Sequence, residues 1–207
     1  MALVVRADVV DLRLDTLKAN DSFLIDTNIW YWLSYPRASQ SAQPYQSQQY
    51  PRYLKRAMTT GAKLHYCGTV FAELSHLIES AEYKSFCARH GIPPNGPVRP
   101  KDFRHSYPQE RQAVLDEVAI AWGQVSSIAV IAEVPLDAAT ISATAALFGQ
   151  VGLDGYDLIA VEAMRQKAIA HIITDDKDFL TVPGIVVLTA NNAAVQAAQA
   201  AGKLVTR

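Results

Sequence analysis

The chain has 207 residues, 50% of them apolar, and carries 19 Lys plus Arg against 20 Asp plus Glu for a formal net charge of −1. That length suits a single domain whose core stands without metal or disulfide staples. The charge balance excludes a globally basic nucleic-acid coat and an acidic disordered tail, though not a local basic face. Cys67 and Cys87 form no CxxC pair, which excludes a cysteine zinc module or disulfide scaffold; they read as buried apolar fillers.

Charged residues from Arg6 to Asp15 interrupt the first twenty positions, so no signal-peptide h-region is present. The longest apolar stretch, around Val125 to Ala132, is far shorter than the roughly 18 residues of a membrane span. A cytoplasmic protein that does not enter the membrane is the expectation. Asp8 to Asn20 reads as a short helix. Ser22 to Ile25 reads as a buried strand ending at Asp26, with a helix or turn over 27–34. Residues 36–51 are polar and broken by Pro36, Pro44 and Pro51, which predicts a loop leading to a helix near Arg52 to Thr60.

Lys63 to Cys67 is a second strand candidate. Thr69 is placed to cap a helix running to about His90, with Val70, Leu74, Leu77, Ile78 and Ala81 on one face and Gly91 as its stop. Pro93, Pro94, Pro97 and Pro100 predict a loop up to Pro108. Pro108 suits the first position of a long helix whose stripe is Val114, Val118, Ala121, Trp122, Val125 and Ala129, with Pro135 as its end. Asp137 caps another helix to about Phe148, and a further one covers Asp154 to Lys167. Ala170 to Thr174 and Ile185 to Leu188 are short apolar runs of the kind found in buried parallel strands. Strands alternating with helices predict an α/β sandwich around a mainly parallel sheet.

Acidic residues stand where these elements end or begin: Asp26 after the first strand, Glu73 early in the helix after the second, Asp157 in the first turn of the Asp154 helix, and Asp175, Asp176 and Asp178 after the Ala170 run. Strand carboxyl ends line the crevice of an open α/β sheet. Carboxylates gathered there repel one another, and oxygen-only ligands favour Mg²⁺ or Mn²⁺ as the compensating ion. Alternatives stay open at single positions. Asp26 could cap a helix, Glu73 could be a solvated residue, Asp154 competes with Asp157, and Asp175 competes with Asp176. Glu73 and His76 make one E-x-x-H pair, but a di-iron bundle needs two.

Asp26-Thr27-Asn28-Ile29, Ala72-Glu73-Leu74, Tyr156-Asp157-Leu158-Ile159-Ala160 and Ile173-Thr174-Asp175-Asp176-Lys177-Asp178-Phe179 resemble, in order and rough spacing, the four acidic motifs of the PIN-domain nucleases. The resemblance implies a PIN-like three-layer α/β/α sandwich formed by a single domain over 1–207. Its core would be about 22–190, with an N-terminal extension 1–20 and loop insertions 36–51 and 84–107. It implies a Mg²⁺- or Mn²⁺-dependent endoribonuclease, very often the VapC-like toxin of a toxin–antitoxin pair. Asp26, Glu73, Asp157 and Asp176 would be the catalytic and metal-binding quartet, supported by Asn28, Thr174 and Asp178. A homodimer and an antitoxin protein are implied partners. The rival readings are a PIN-like module that binds RNA or protein without cutting, a housekeeping RNA-processing nuclease, and a phosphoryl-transfer enzyme or receiver using Asp26 as nucleophile.

Trp30, Tyr31, Trp32, Tyr35, Tyr45, Tyr50 and Tyr53 follow the first motif, interleaved with Arg37, Arg52 and Arg56. Aromatics stacking on splayed bases and arginines on phosphates make these three arginines candidate RNA contacts. Core packing is the competing reading for the aromatics.

Overall fold

A computed structural model describes residues 4–93 and 96–207. Six strands form one sheet: β1 (Asp8–Asp11), β2 (Ser22–Ile25), β3 (Lys63–Cys67), β4 (Val130–Ala132), β5 (His171–Ile173) and β6 (Val186–Thr189), in the order β1-β6-β5-β2-β3-β4. Every neighbouring pair is parallel. The helices are α1 (Thr27–Ser34), α2 (Pro44–Thr60), α3 (Val70–Arg89), α4 (Pro100–Ser106), α5 (Pro108–Ile128), α6 (Ala138–Phe148), α7 (Gly155–Gln166) and α8 (Asn192–Ala200). α1 packs on α2, α3 and α5, and α4 packs on α5; α6 and α7 pair with each other, and α8 lies along β1. The architecture is the expected α/β sandwich, with a sheet that is wholly parallel. No described helix is long and apolar enough to cross a membrane.

The strand order fixes where a crevice opens. From β2 the chain crosses to β3 on one side, whereas from β5 it crosses to β6 on the other. β2 and β5 are adjacent, with Ile25 opposite Ile173. Diverging connections leave a gap beyond the carboxyl ends of these two strands, the position at which open α/β sheets bind ligands.

Four expectations are corrected. Residues 8–20 are not a helix and not an appendage: Val9 and Val10 make the edge strand β1, fully or almost fully buried, with Asp8 and Asp11 at its ends. The segment 36–51 is not a loop. Pro36–Gln40 is a 3₁₀ turn and α2 starts at Pro44, where a proline needs no hydrogen-bond partner for its nitrogen. Gln43 and Gln46 close a capping box there, and Pro51 is carried inside the helix between the buried Tyr50 and Tyr53. Within 84–107, α3 runs to Arg89 and α4 occupies Pro100–Ser106, so the loop is much shorter than the prolines suggested; Pro94 lies outside the described residues. Finally, α5 stops at Ile128 rather than Pro135, because Val130–Ala132 turn extended to pair with β3.

Trp30, Tyr31, Tyr35, Tyr50 and Tyr53 are all buried, so the aromatic cluster is core packing, as are Cys67 and Cys87. Thr69 stands before α3, but its side chain makes no capping bond. Asp137 does cap α6, accepting from the Thr140 amide.

Candidate active site

Asp26 is the residue at which β2 ends and α1 begins. Its amide still donates to the Ile173 carbonyl at 3.1 Å, continuing the sheet, while its own carbonyl accepts from Ile29 and Trp30 to start the helix. Its side chain makes no cap bond, so the helix-cap reading of Asp26 does not hold for the carboxylate. Instead Asp26 Oδ2 accepts from the Thr174 hydroxyl at 2.6 Å. Thr174 is fully buried just past β5, and its Oγ1 in turn accepts from the Asp176 amide at 2.9 Å. One hydroxyl therefore ties the two strand ends together and sets Asp26 beside Asp176.

Glu73 enters from the first turn of α3, where Oε2 accepts from the Thr27 hydroxyl at 2.7 Å. Asp154 caps α7, accepting from the amides of Tyr156 and Asp157 at 2.9 and 3.2 Å. Asp157 is the third residue of that helix, three positions after the cap. A cavity of about 420 Å³ at the carboxyl ends of β2 and β5 is lined by Asp26, Glu73, Asp154, Asp157 and Asp176, with Asn28 and His76 also on its wall. No lysine or arginine is among its described lining residues.

Asp154 and Asp157 therefore both face the cavity, so the choice between them resolves into a cap and a half-buried partner. Asp175 and Asp176 separate cleanly. Asp175 turns away and accepts from Tyr50 (2.6 Å), Gln46 (2.7 Å) and Tyr45 (3.0 Å) of α2, while Asp176 faces the cavity. Asp178 is exposed and touches the site only through its amide, which donates to Asp176 Oδ1 at 2.8 Å. Arg37 is held by Glu82, with its Nη1 at 2.8 Å from Oε2, so it is engaged within the fold. Arg52 and Arg56 are exposed on α2, away from the cavity. Thr27 and His76 also line the site; the sequence reading quoted Thr27 only within the first motif and weighed His76 only as half of an E-x-x-H pair.

Burial and mutual repulsion act on the carboxylates together. Asp26 is pushed up to about 7, chiefly by desolvation and further by the charges of Asp176 and Glu73, against the Thr174 bond that favours its anion. Asp157 is pushed up to about 8 by desolvation, then by Asp26, Asp154, Asp176 and Glu73. Desolvation also raises Glu73 and Asp176, while the Thr27 hydroxyl and the Asp178 amide pull them back.

No protein-family model matches the chain. No curated protein matches it either.

The chemistry of the cavity follows from its donors. They are oxygen groups carrying more negative charge than their surroundings neutralise, which suits a hard divalent cation such as Mg²⁺ or Mn²⁺. Among the described residues no three His, Cys, Asp or Glu side chains form a finished coordination group. The site is a shared acidic enclosure rather than a closed cage, a form in which an ion that keeps several of its waters is held by few carboxylates. A larger cavity of about 520 Å³ lies between α6 and α7 at the amino ends of β5 and β6. It is lined mainly by apolar side chains such as Leu147, Val161 and Met164, and its Glu162 and Arg165 neutralise each other at 2.6 Å, so it lacks the grouped donors of the acidic cavity.

Proposed function

We propose that this protein is a metal-dependent endoribonuclease hydrolysing RNA phosphodiester bonds at the acidic cavity. The observation that carries the reading is the meeting of Asp26, Glu73, Asp157 and Asp176, separated by up to 150 positions in sequence, around one cavity at the divergence of β2 and β5. These are the four acidic positions of the PIN-like motifs, and Asn28 shares the cavity.

A Mg²⁺ or Mn²⁺ bound there supplies Lewis-acid polarisation of the phosphodiester and lowers the pKa of a water nucleophile. Asp26 and Asp176 are the residues assigned to hold it, because Thr174 sets them side by side and the backbone of both strand ends fixes them. Glu73, oriented by Thr27, and Asp157 line the same wall and would accept hydrogen bonds from waters that the ion keeps. Asp157, raised to about 8, would give up a proton near neutral pH when a cation binds beside it. The exposed ring of Tyr156 at the mouth offers a surface on which a base can stack. A toxin role, an antitoxin and a homodimer rest on the motif resemblance alone; arrest of growth on expression tests the first.

The test is cleavage of a labelled single-stranded RNA by the purified protein. Cleavage is expected with Mg²⁺ or Mn²⁺ and not with EDTA. Asp26→Asn is expected to lower the rate on the order of 10²-fold or more, since losing even an outer-shell group costs a metal site about 10–100-fold. Binding of RNA with no cleavage under any divalent ion would favour the non-catalytic module instead.

A further inference from the structure

A second feature, of opposite charge, starts at the same edge of the sheet and follows α2. Beyond the carboxyl end of β1, a cleft of about 230 Å³ is lined by Arg13, Gln49, Arg52, Arg56, Leu12 and Tyr53. Arg13 is fixed there by a two-pronged bond to Asp11, at 2.7 Å from each oxygen, and by a bond to Asn192 at 2.7 Å. Arg56 leans over the Tyr53 ring, 5.9 Å from its centre, and bonds the Asp15 carbonyl. Among the described residues no carboxylate pairs with Arg52 or Arg56, and Asp11 cancels only Arg13. The cleft therefore holds two uncompensated guanidinium groups and the primary amide of Gln49, which precedes both on α2.

Its position relative to the acidic cavity is set by α2. Gln46 bonds Asp175, the residue next to Asp176, and Gln49, Arg52 and Arg56 follow along the same helix. At about 1.5 Å per residue, Arg52 lies roughly 9 Å and Arg56 roughly 15 Å further along the axis. β1 is parallel to β6 and β6 to β5, so Arg13 after β1 and Asp176 after β5 emerge at one edge. A polyanionic strand leaving the acidic cavity on the β1 side meets Arg13 at this edge, and Arg52 and Arg56 as α2 runs from it toward the amino start of β3.

We infer that the Arg52–Arg56–Arg13 cleft is a phosphate-binding subsite for the flanking backbone of a single-stranded RNA. The ligand's identity rests on the nuclease reading. The cleft's preference for an anion rests on its own charges. Arg52 and Arg56 take phosphate oxygens by paired N–H donors, Gln49 supplies a further amide donor about one turn before Arg52, and Arg13 shapes the wall while bound to Asp11. Such contacts position the strand without reading its bases, so they act equally on different sequences.

The experiment is fluorescence anisotropy of a labelled single-stranded oligoribonucleotide in EDTA, titrated at several KCl concentrations, with the wild type, the Arg52→Ala/Arg56→Ala variant and the Arg52→Lys/Arg56→Lys variant. Both residues are exposed, and circular dichroism checks that each variant folds. The alanine variant is expected to bind about tenfold or more weakly, and its plot of log K against log salt to flatten by about 1.4, the value for two phosphates of a single strand. The lysine variant is expected to retain the salt slope. Equal affinity and slope in wild type and alanine variant would overturn the subsite, even if the wild type cleaves RNA with Mg²⁺. Loss of binding in the alanine variant, in a protein that cleaves no RNA with any divalent ion, would uphold the subsite and sink the nuclease reading.

Discussion

Thr174 is the residue on which the site's geometry turns. Its hydroxyl donates to Asp26 and accepts from the Asp176 amide, so one side chain spans two strands. Thr174→Val keeps the shape and removes both bonds. It is expected to lower cleavage about 10–100-fold with little loss of secondary structure, as second-shell losses do; rate measurements alongside circular dichroism check this. The raised carboxylates give a signed pH dependence. Asp26 near 7 and Asp157 near 8 hold protons that the unfolded chain has released, so stability falls as pH rises through that range. His65 and His171, held below their usual value by burial, act in the opposite sense, but only below about pH 6.5. Carboxylates lowered by partners, such as Asp15 and Glu79, lose their contribution only in acid. The metal-free protein is therefore expected to melt at a lower temperature at pH 8.5 than at pH 7. Added Mg²⁺ should raise the melting temperature more at the higher pH, because the ion no longer competes with protons. Differential scanning calorimetry reads both, and Asp26→Asn should flatten the fall.

At the scale of elements, the strands and helices that carry the site were legible where one rule dominated. Phe23-Leu24-Ile25 and Ile172-Ile173 are continuous apolar runs, and no other element buries such runs so economically. The α5 stripe and the Asp137 cap were equally direct. β1 escaped because two valines between aspartates carry too little apolar signal; pairing with β6 and a bridge from Val9 to Leu204 make it a strand. β4 escaped because Val130 and Ile131 extend the apolar run of α5, and only the pairing with β3 turns them extended. Pro44 and Pro51 read as breakers, yet one opens α2 and the other rides within it. The segment before β2 is tied down by Arg207, whose guanidinium bonds Asp15 at 2.9 Å and Asp21 at 3.1 Å while all three side chains are largely buried. Arg207→Ala leaves two buried carboxylates without their cation. The expected cost is about 3–5 kcal/mol, read as a lower urea midpoint at unchanged slope.

Across the whole molecule, the placing of the acidic residues at element ends was legible in sequence, and there a carboxylate serves as a cap or faces the cavity. Sequence did not separate the two uses. Asp154 is the cap and Asp157 the half-buried partner; Asp175 braces α2 and Asp176 faces the cavity. Those assignments depend on how α2 and α7 lie on the sheet, which is tertiary information. The basic edge was half legible: Arg52 and Arg56 stand out in the sequence, whereas Arg13 joins them only because residues 8–11 form a strand. A chain of formal net charge −1 thus carries an acidic cavity at the carboxyl edge of the sheet and a basic cleft that starts at that edge and follows α2, an arrangement that, on the proposed reading, suits a cation at the first and an RNA backbone across both.

Isothermal titration of Mn²⁺ into the metal-free protein, run in two buffers of different ionisation enthalpy near pH 7, tests the central claim most directly. Saturable binding with release of protons, abolished in Asp26→Asn and weakened in Asp157→Asn, is the predicted result. Absence of binding, or the same binding in Asp26→Asn as in the wild type, would contradict it.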